Sequence, residues 1–367
     1  MAAEVLSDRR LNRALLARQG LLERRAGDPP AEIERVAGLQ AQEPVDPYIG
    51  LWARLDGFDP ERLSALLAER AVVRAQLIRP TIHLVTAADC LAWQPLAARV
   101  TAAAFRNPFG RRFEAAGVDP AEVAAAGREL LREAPRTRAQ LAKALAERWP
   151  QVDADALGNA VTFLNPVVQI PPRGLWRRRG QATWALTEDW LGRPPDPEGD
   201  VEAAVLRYLA AFGPATPADM RTWSRLPGLR AAFERLRPRL RTFRDERGRE
   251  LFDVPDGPLP DPDTPAPPRL LGQFDNVLLA HDDRRRVLHP AGPTPDAGAF
   301  RGTVLVDGRL RGFWRLDGGG DAAAIHVERY APQPDDPPAT ADALGAEAER
   351  LLDLLAPEAT RREVVIA

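Results

Sequence analysis

Between residues 137 and 149, TRAQLAKALAERW places Leu141, Leu145 and Trp149 four apart behind Thr137, the spacing of one buried helix face behind an N-cap. DADALGNAVTFLN at 153–165 repeats that spacing with Leu157, Val161 and Leu164. PVVQIPPRGLWRRRGQATWALT then reads as two short strands around a Gly/Arg-rich loop. Helix, turn, helix, hairpin is the order of a winged helix-turn-helix, with the second helix in the recognition position and RGLWRRRG as the wing. The order recurs at 201–254: VEAAVLRYLAAFG, a helix start at Thr216-Pro217, LRAAFERLRPRL and the strand-like RTFRDERGRELFDV. An earlier copy is predicted from helices at 9–23, 30–42 and 60–69, with VVRAQLI and PTIHLV as its hairpin. Repetition of one unit predicts a tandem array, divided at 1–119, 120–198 and 199–254.

After residue 255 the pattern changes. PDGPLPDPDTPAPP has a proline density that permits neither helix nor central strand and reads as a linker. Beyond it RLLGQFDNVLLA, TVLV, RLRGFWRL and AIHVERYA read as strands, with Asp307-Gly308 as a two-residue hairpin turn and Gly318–Gly320 as another turn. A second proline-rich stretch at 332–338, a helix near 340–356 and a terminal REVVIA strand complete a C-terminal region spanning 255–367. The expected class is α+β: tandem winged-helix units followed by a small β-containing region.

Composition narrows the chemistry. A 45% hydrophobic content supports a substantial core, and no run approaches the ~20 apolar residues of a membrane span. The charged start, MAAEVLSDRRLNRALL, lacks the apolar centre of a secretion signal, so a cytoplasmic protein is expected. One cysteine, Cys90, and four scattered histidines offer no metal-ligand cluster, and no cofactor motif is present. With three serines, no G-x-S-x-G and no P-loop, serine hydrolases and P-loop NTPases fit poorly. The net charge of −2 means that local patches must carry any nucleic-acid contact. Lys143 is the only lysine, so it and the N-terminus are the only amines available for a Schiff base.

Five segments stand out in order: GLQAQEP at 38–44, RPTIHLV at 79–85, the PPRGLWRRRG wing, LLGQFDNVLLAHDDRRRV and VLVDGRLRGFW. Together they resemble the AlkZ/YcaQ group of winged-helix DNA glycosylases across nearly the whole chain. That group carries a catalytic pair of glutamine, one residue, then glutamine or aspartate, and Gln40-Ala41-Gln42 resembles the glutamine version. The resemblance implies a monofunctional glycosylase acting on alkylated guanine in double-stranded DNA, expected to be a monomer and nucleoid-associated. Bulky N7 adducts or interstrand crosslinks are the implied lesions.

The residues themselves leave alternatives open. Pro44 pushes Glu43 out of helical geometry, and in an extended segment Gln40 and Gln42 share a side. Taken without the resemblance, they read first as polar residues ending a helix and satisfying its backbone carbonyls. Glutamine accepts no proton at neutral pH, but a cationic N7-alkylguanine leaves readily, so positioned water and aimed dipoles suffice. Glu43 is a neighbouring base whose placement would point it away from Gln42. Arg79, Thr81 and His83 are candidate DNA contacts. So are the wing residues Arg173, Arg177, Arg178 and Arg179, with Arg237, Arg239 and Arg241 on the next unit and Arg309 in the hairpin. Each arginine cluster also reads as a solvated face, and His83 as a plain surface histidine. Asp275 and Asn276 are expected to tie the sheet together and Trp314 to be core. Two other functions remain, a non-catalytic DNA-binding protein and a protein-binding scaffold, and a basic surface beside Gln40 would disfavour the scaffold.

Overall fold

The computed structural model describes residues 4–289, 292, 294, 301–330 and 340–367. The proline-rich stretch at 332–338 and the N-terminal amine fall outside the described residues. Local chemistry accounts for most boundaries. Thr137 starts the helix Arg138–Ala146 with a capping box completed by Gln140, and Asp153 caps Ala154–Leu164. Thr216 forms a second capping box with Asp219 ahead of Pro217–Ser224. Asp307 and Gly308 both take positive φ, 47° and 75°, and join Gly302–Val306 to Arg309–Gly319 as a two-residue hairpin.

The expected α+β, tandem winged-helix architecture is present. One six-stranded sheet runs in the order Leu39–Gln40, Ile82–Thr86, Val72–Gln76, Val167–Ile170, Thr183–Leu186, Arg136–Thr137. Its pairings are antiparallel throughout. Arg74 lies opposite Gln169 in this sheet, so the hairpins of the first two helix-helix-hairpin segments are fused edge to edge. Their helices also share one apolar core, from Ile33 and Leu39 to Val161, Trp184 and Leu186. The third segment sends Arg241–Asp245 and Glu250–Asp253 into a three-stranded sheet with Val5–Leu6.

The C-terminal region forms a five-stranded sheet, Arg269–Leu271, Gly302–Val306, Arg309–Gly319, Ala322–Arg329 and Arg361–Ile366, with the helix Thr340–Leu355 packed against it. Trp314 is core: its indole N–H donates to the Leu271 carbonyl at 2.8 Å, and Gly302 leaves the space the ring fills. Among the described residues no helix is long and apolar enough to cross a membrane.

Three expected elements differ. The helix expected at 9–23 is Asp8–Arg18, stopped before Gly20 at φ 65°. The helix expected at 30–42 is only Pro29–Arg35. Ala37 and Gly38 take φ of 59° and 83°, and a Cβ on Gly38 would come within 2.8 Å of Val85 Cγ1, so the chain must leave the helix here. The strand expected over RLLGQFDNVLLA stops at Leu271, because the Asp275 side chain caps a short helix, Asn276–Leu279.

Candidate active site

The turn at Ala37 and Gly38 delivers Leu39–Gln40 as an edge strand, with Gln40 directly opposite His83. Nearly every polar group of the following segment is then held. Ala41 N–H donates to the Ile82 carbonyl at 2.7 Å, and the Ala41 carbonyl accepts from Arg74 Nη2 at 2.9 Å. Gln42 Oε1 accepts from the Ile82 N–H at 2.9 Å. Gln40 Oε1 accepts from Arg79 Nη2 at 2.7 Å, while Arg79 Nη1 donates to the Trp223 carbonyl at 3.0 Å. Asn276 holds the approach by donating to the Gly38 carbonyl at 2.5 Å. The FDN block therefore clamps this segment, and Asp275 locks the clamp by a bidentate ion pair with buried Arg54, 2.8 and 2.9 Å.

The two glutamines are not helix-end residues here. Each side-chain carbonyl is engaged behind the segment, which leaves the amide N–H groups as the chemistry on offer. Gln40 is buried and Gln42 exposed. Such an arrangement can orient water or meet developing negative charge, but it presents no proton acceptor.

The R-x-T-x-H stretch builds the floor beneath them. Arg79 sits at φ 50° in the hairpin turn, which Thr81 closes by donating Oγ1 to the Ile78 carbonyl at 3.1 Å. His83 has no exposed surface, and its Nδ1 lies 3.0 Å from the Thr81 carbonyl. Burial, reinforced by Arg79, pushes its pKa down to about 3, so the ring is neutral and cannot meet DNA from this position. The expectation of a DNA-facing His83 is corrected accordingly: the ring is fully enclosed, on the same face of the sheet as its cross-strand partner Gln40.

The remaining arginines divide. Arg177 pairs with Glu358 and donates to the Leu355 carbonyl, so this wing residue fastens the C-terminal helix instead of facing outward unpaired. Arg237 is gripped by Glu234 and Glu250 and lies over Phe252, which leaves little charge for a phosphate. Arg173 is half-buried, donating to the Gly180 carbonyl at 3.4 Å. Arg241 is drawn inward to Asp253 and the Gly257 carbonyl. The turn bearing half-buried Arg309 packs on the N-terminal helix, where Asp307 takes Arg9 and Arg13. Arg178, Arg179 and Arg239 are exposed.

The basic surroundings of Gln40 come from residues the sequence reading passed over. Burial first, then Arg225 and Arg284, pushes the Arg79 pKa down to about 10, so these two cations stand close to the guanidinium that holds Gln40. Arg225 is exposed at the end of Pro217–Ser224. On the other side, a cavity of about 360 Å³ opens between Glu43, Asp46 and the sheet residues Arg301, Arg315 and Leu316. No sequence pattern pointed to it, since its walls lie more than 200 residues apart. No group of three or more His, Cys, Asp or Glu able to hold a metal occurs among the described residues.

Comparison with known proteins bears on this geometry. The family described as DNA glycosylase AlkZ-like matches residues 33–354. An interstrand DNA cross-link repair glycosylase of Streptomyces sahachiroi is 26% identical over 314 residues, 77% of this chain and 81% of the relative. The solved structure of the Streptomyces sahachiroi DNA glycosylase AlkZ has the same fold, with a TM-score of 0.73 over 99% of this chain and 100% of that one at 21% identity. The matched region begins before the Gln40–Gln42 segment and runs through four of the five C-terminal strands into the helix Thr340–Leu355, and on that match the protein belongs to the AlkZ-like DNA glycosylases.

Proposed function

We propose that this glycosylase hydrolyses the N-glycosidic bond of N7-alkylated guanine in duplex DNA, with bulky adducts and interstrand crosslinks among its substrates. The observation that carries the reading is the Gln40–Gln42 segment, pinned through its backbone and both side-chain carbonyls beside a basic surface. Fixed amide donors suit a leaving group that is already cationic, because the reaction then needs orientation more than acid catalysis. The lesion class follows the named activity of the Streptomyces relative. A base tethered to the opposite strand cannot be swung freely from the stack, which favours an open site over a closed base pocket.

The protein works without a covalent enzyme–DNA intermediate and acts as a monomer on the nucleoid in the cytoplasm. Lys143 supports the first point: it is exposed on the helix Arg138–Ala146, an element absent from the contacts of the glutamine segment. The test is base release from duplexes carrying N7-methylguanine, a bulky N7 adduct or an N7–N7 crosslink, with borohydride present in a parallel arm. Release without trapping supports the reading. Tight binding with no release from any of the three, or a trapped complex abolished by Lys143→Ala, overturns it.

A further inference from the structure

Hydrolysis consumes a water molecule, and that water must give up a proton. Neither Gln40 nor Gln42 can take it, since an amide oxygen is not basic at neutral pH and both oxygens already accept hydrogen bonds. A carboxylate is needed within reach of the same segment.

Asp46 is the first residue of the helix Asp46–Trp52, one turn beyond Gln42, where its N–H closes a turn onto the Glu43 carbonyl at 3.2 Å. Its side chain lines the 360 Å³ cavity. Gly272 allows close approach from behind, as a Cβ there would stand 3.1 Å from Asp46 Cγ, and the Gln273 N–H donates to the carboxylate. The other oxygen, Oδ2, is buried with no hydrogen-bond partner among the described residues. A buried carboxylate oxygen left without a donor is costly, so it marks a place where a donor belongs. The charged groups around it supply none. Glu43 and Asp275 are themselves acidic, and Arg54 is committed to Asp275. Across the cavity, Arg315 is paired with Asp317 and Arg301 with Glu328.

We propose that Asp46 is the general base of the reaction and that the attacking water is the missing donor to its carboxylate. This rests on the glycosylase reading above. In the step, the C1′–N9 bond breaks with its electron pair going to the cationic N7-alkylguanine, which leaves as a neutral base. The water oxygen bonds to C1′, and one water proton passes to Asp46. Burial, then Glu43, raises the Asp46 pKa to about 7, in the range where a carboxylate accepts a proton effectively.

The test is single-turnover release of N7-methylguanine between pH 5 and 9 by the wild type, Asp46→Asn and Glu43→Gln. The asparagine side chain of Asp46→Asn still offers an oxygen to the Gln273 N–H, and thermal melts check that this variant folds. The wild-type rate should climb about tenfold per pH unit below roughly pH 7 and then level off. Asp46→Asn should lose about 10²-fold at the plateau together with the acid limb, at unchanged DNA affinity. Glu43→Gln should keep the plateau and move the limb to lower pH, because it removes a charge that raises the Asp46 pKa. Titration of the lesion itself appears in every profile and cancels in the ratios. A wild-type rate and profile in Asp46→Asn, or loss of the limb in Glu43→Gln alone, overturns the assignment while leaving the glycosylase reading intact. A wild type that releases nothing removes both.

Discussion

Replacing Arg79 with methionine separates the stability of this fold from the orientation of its site. Arg79 donates to Gln40 Oε1 and to the Trp223 carbonyl, and charge-assisted bonds of this kind contribute about 1.5–3 kcal/mol each. Against this, the guanidinium is buried with no carboxylate in ion-pairing range among the described residues, and its pKa falls from 12.5 to about 10. That shift corresponds to a burial cost of about 3 kcal/mol. Two such bonds, about 3–6 kcal/mol together, set against that cost leave about 0–3 kcal/mol, so Arg79→Met should lower unfolding free energy by no more than about 3 kcal/mol. Excision should suffer as well. Gln40 regains rotamer freedom worth up to about 2 kcal/mol, which predicts a loss of roughly 10- to 30-fold in single-turnover rate. Urea unfolding and base release on one preparation measure both quantities. A loss of stability beyond about 4 kcal/mol with unchanged excision per folded molecule would make Arg79 a structural residue only. A salt slope of DNA binding shallower by about one would return it to the phosphate-contact role expected from the sequence.

Two further outcomes are expected. Folding raises the Asp46 pKa from 3.8 to about 7, so the native state holds a proton that the unfolded chain has released between those values. The wild type therefore loses stability as pH rises through that window. Asp46→Asn, which does not titrate, should be more stable than the wild type at pH 8, by at most about 4 kcal/mol, and equal to it near pH 3, as thermal melts at both pH values would reveal. Arg178→Ala with Arg179→Ala should weaken duplex binding uniformly across sequences and lower the salt slope by about two, leaving saturated excision unchanged. An unaltered slope would mean that the wing stays off the DNA.

How much of this was legible in the chain depended on whether a local signal existed. Thr137 and Thr216 announced their capping boxes, and Asp307-Gly308 its turn, because each of these is settled within four residues. Gly38 carries the signal that the helix from Pro29 must stop, but the apolar periodicity runs past it and masks that signal. His83 alternates like a surface-strand residue, and only tertiary packing, with Arg79 beside it, removes it from solvent. The glutamine pair was visible as a motif. Its support was not, because Asn276 reaches Gly38 across 238 positions and Asp275 reaches Arg54 across 221. The same distance hid Asp46, whose surroundings come from Gly272, Gln273 and the sheet strand bearing Arg315.

The central claim is that Gln42 acts at the reacting centre, and single-turnover excision by Gln42→Ala tests it most directly. The substrate is a crosslinked or N7-methylguanine duplex that the wild type processes, with affinity measured in parallel. Loss of the Ile82 tie should cost about 1 kcal/mol of stability and little affinity, while excision falls by about 10²-fold or more. Gln42→Asp should retain activity. Equal excision rates for the wild type and a folded Gln42→Ala would contradict the account.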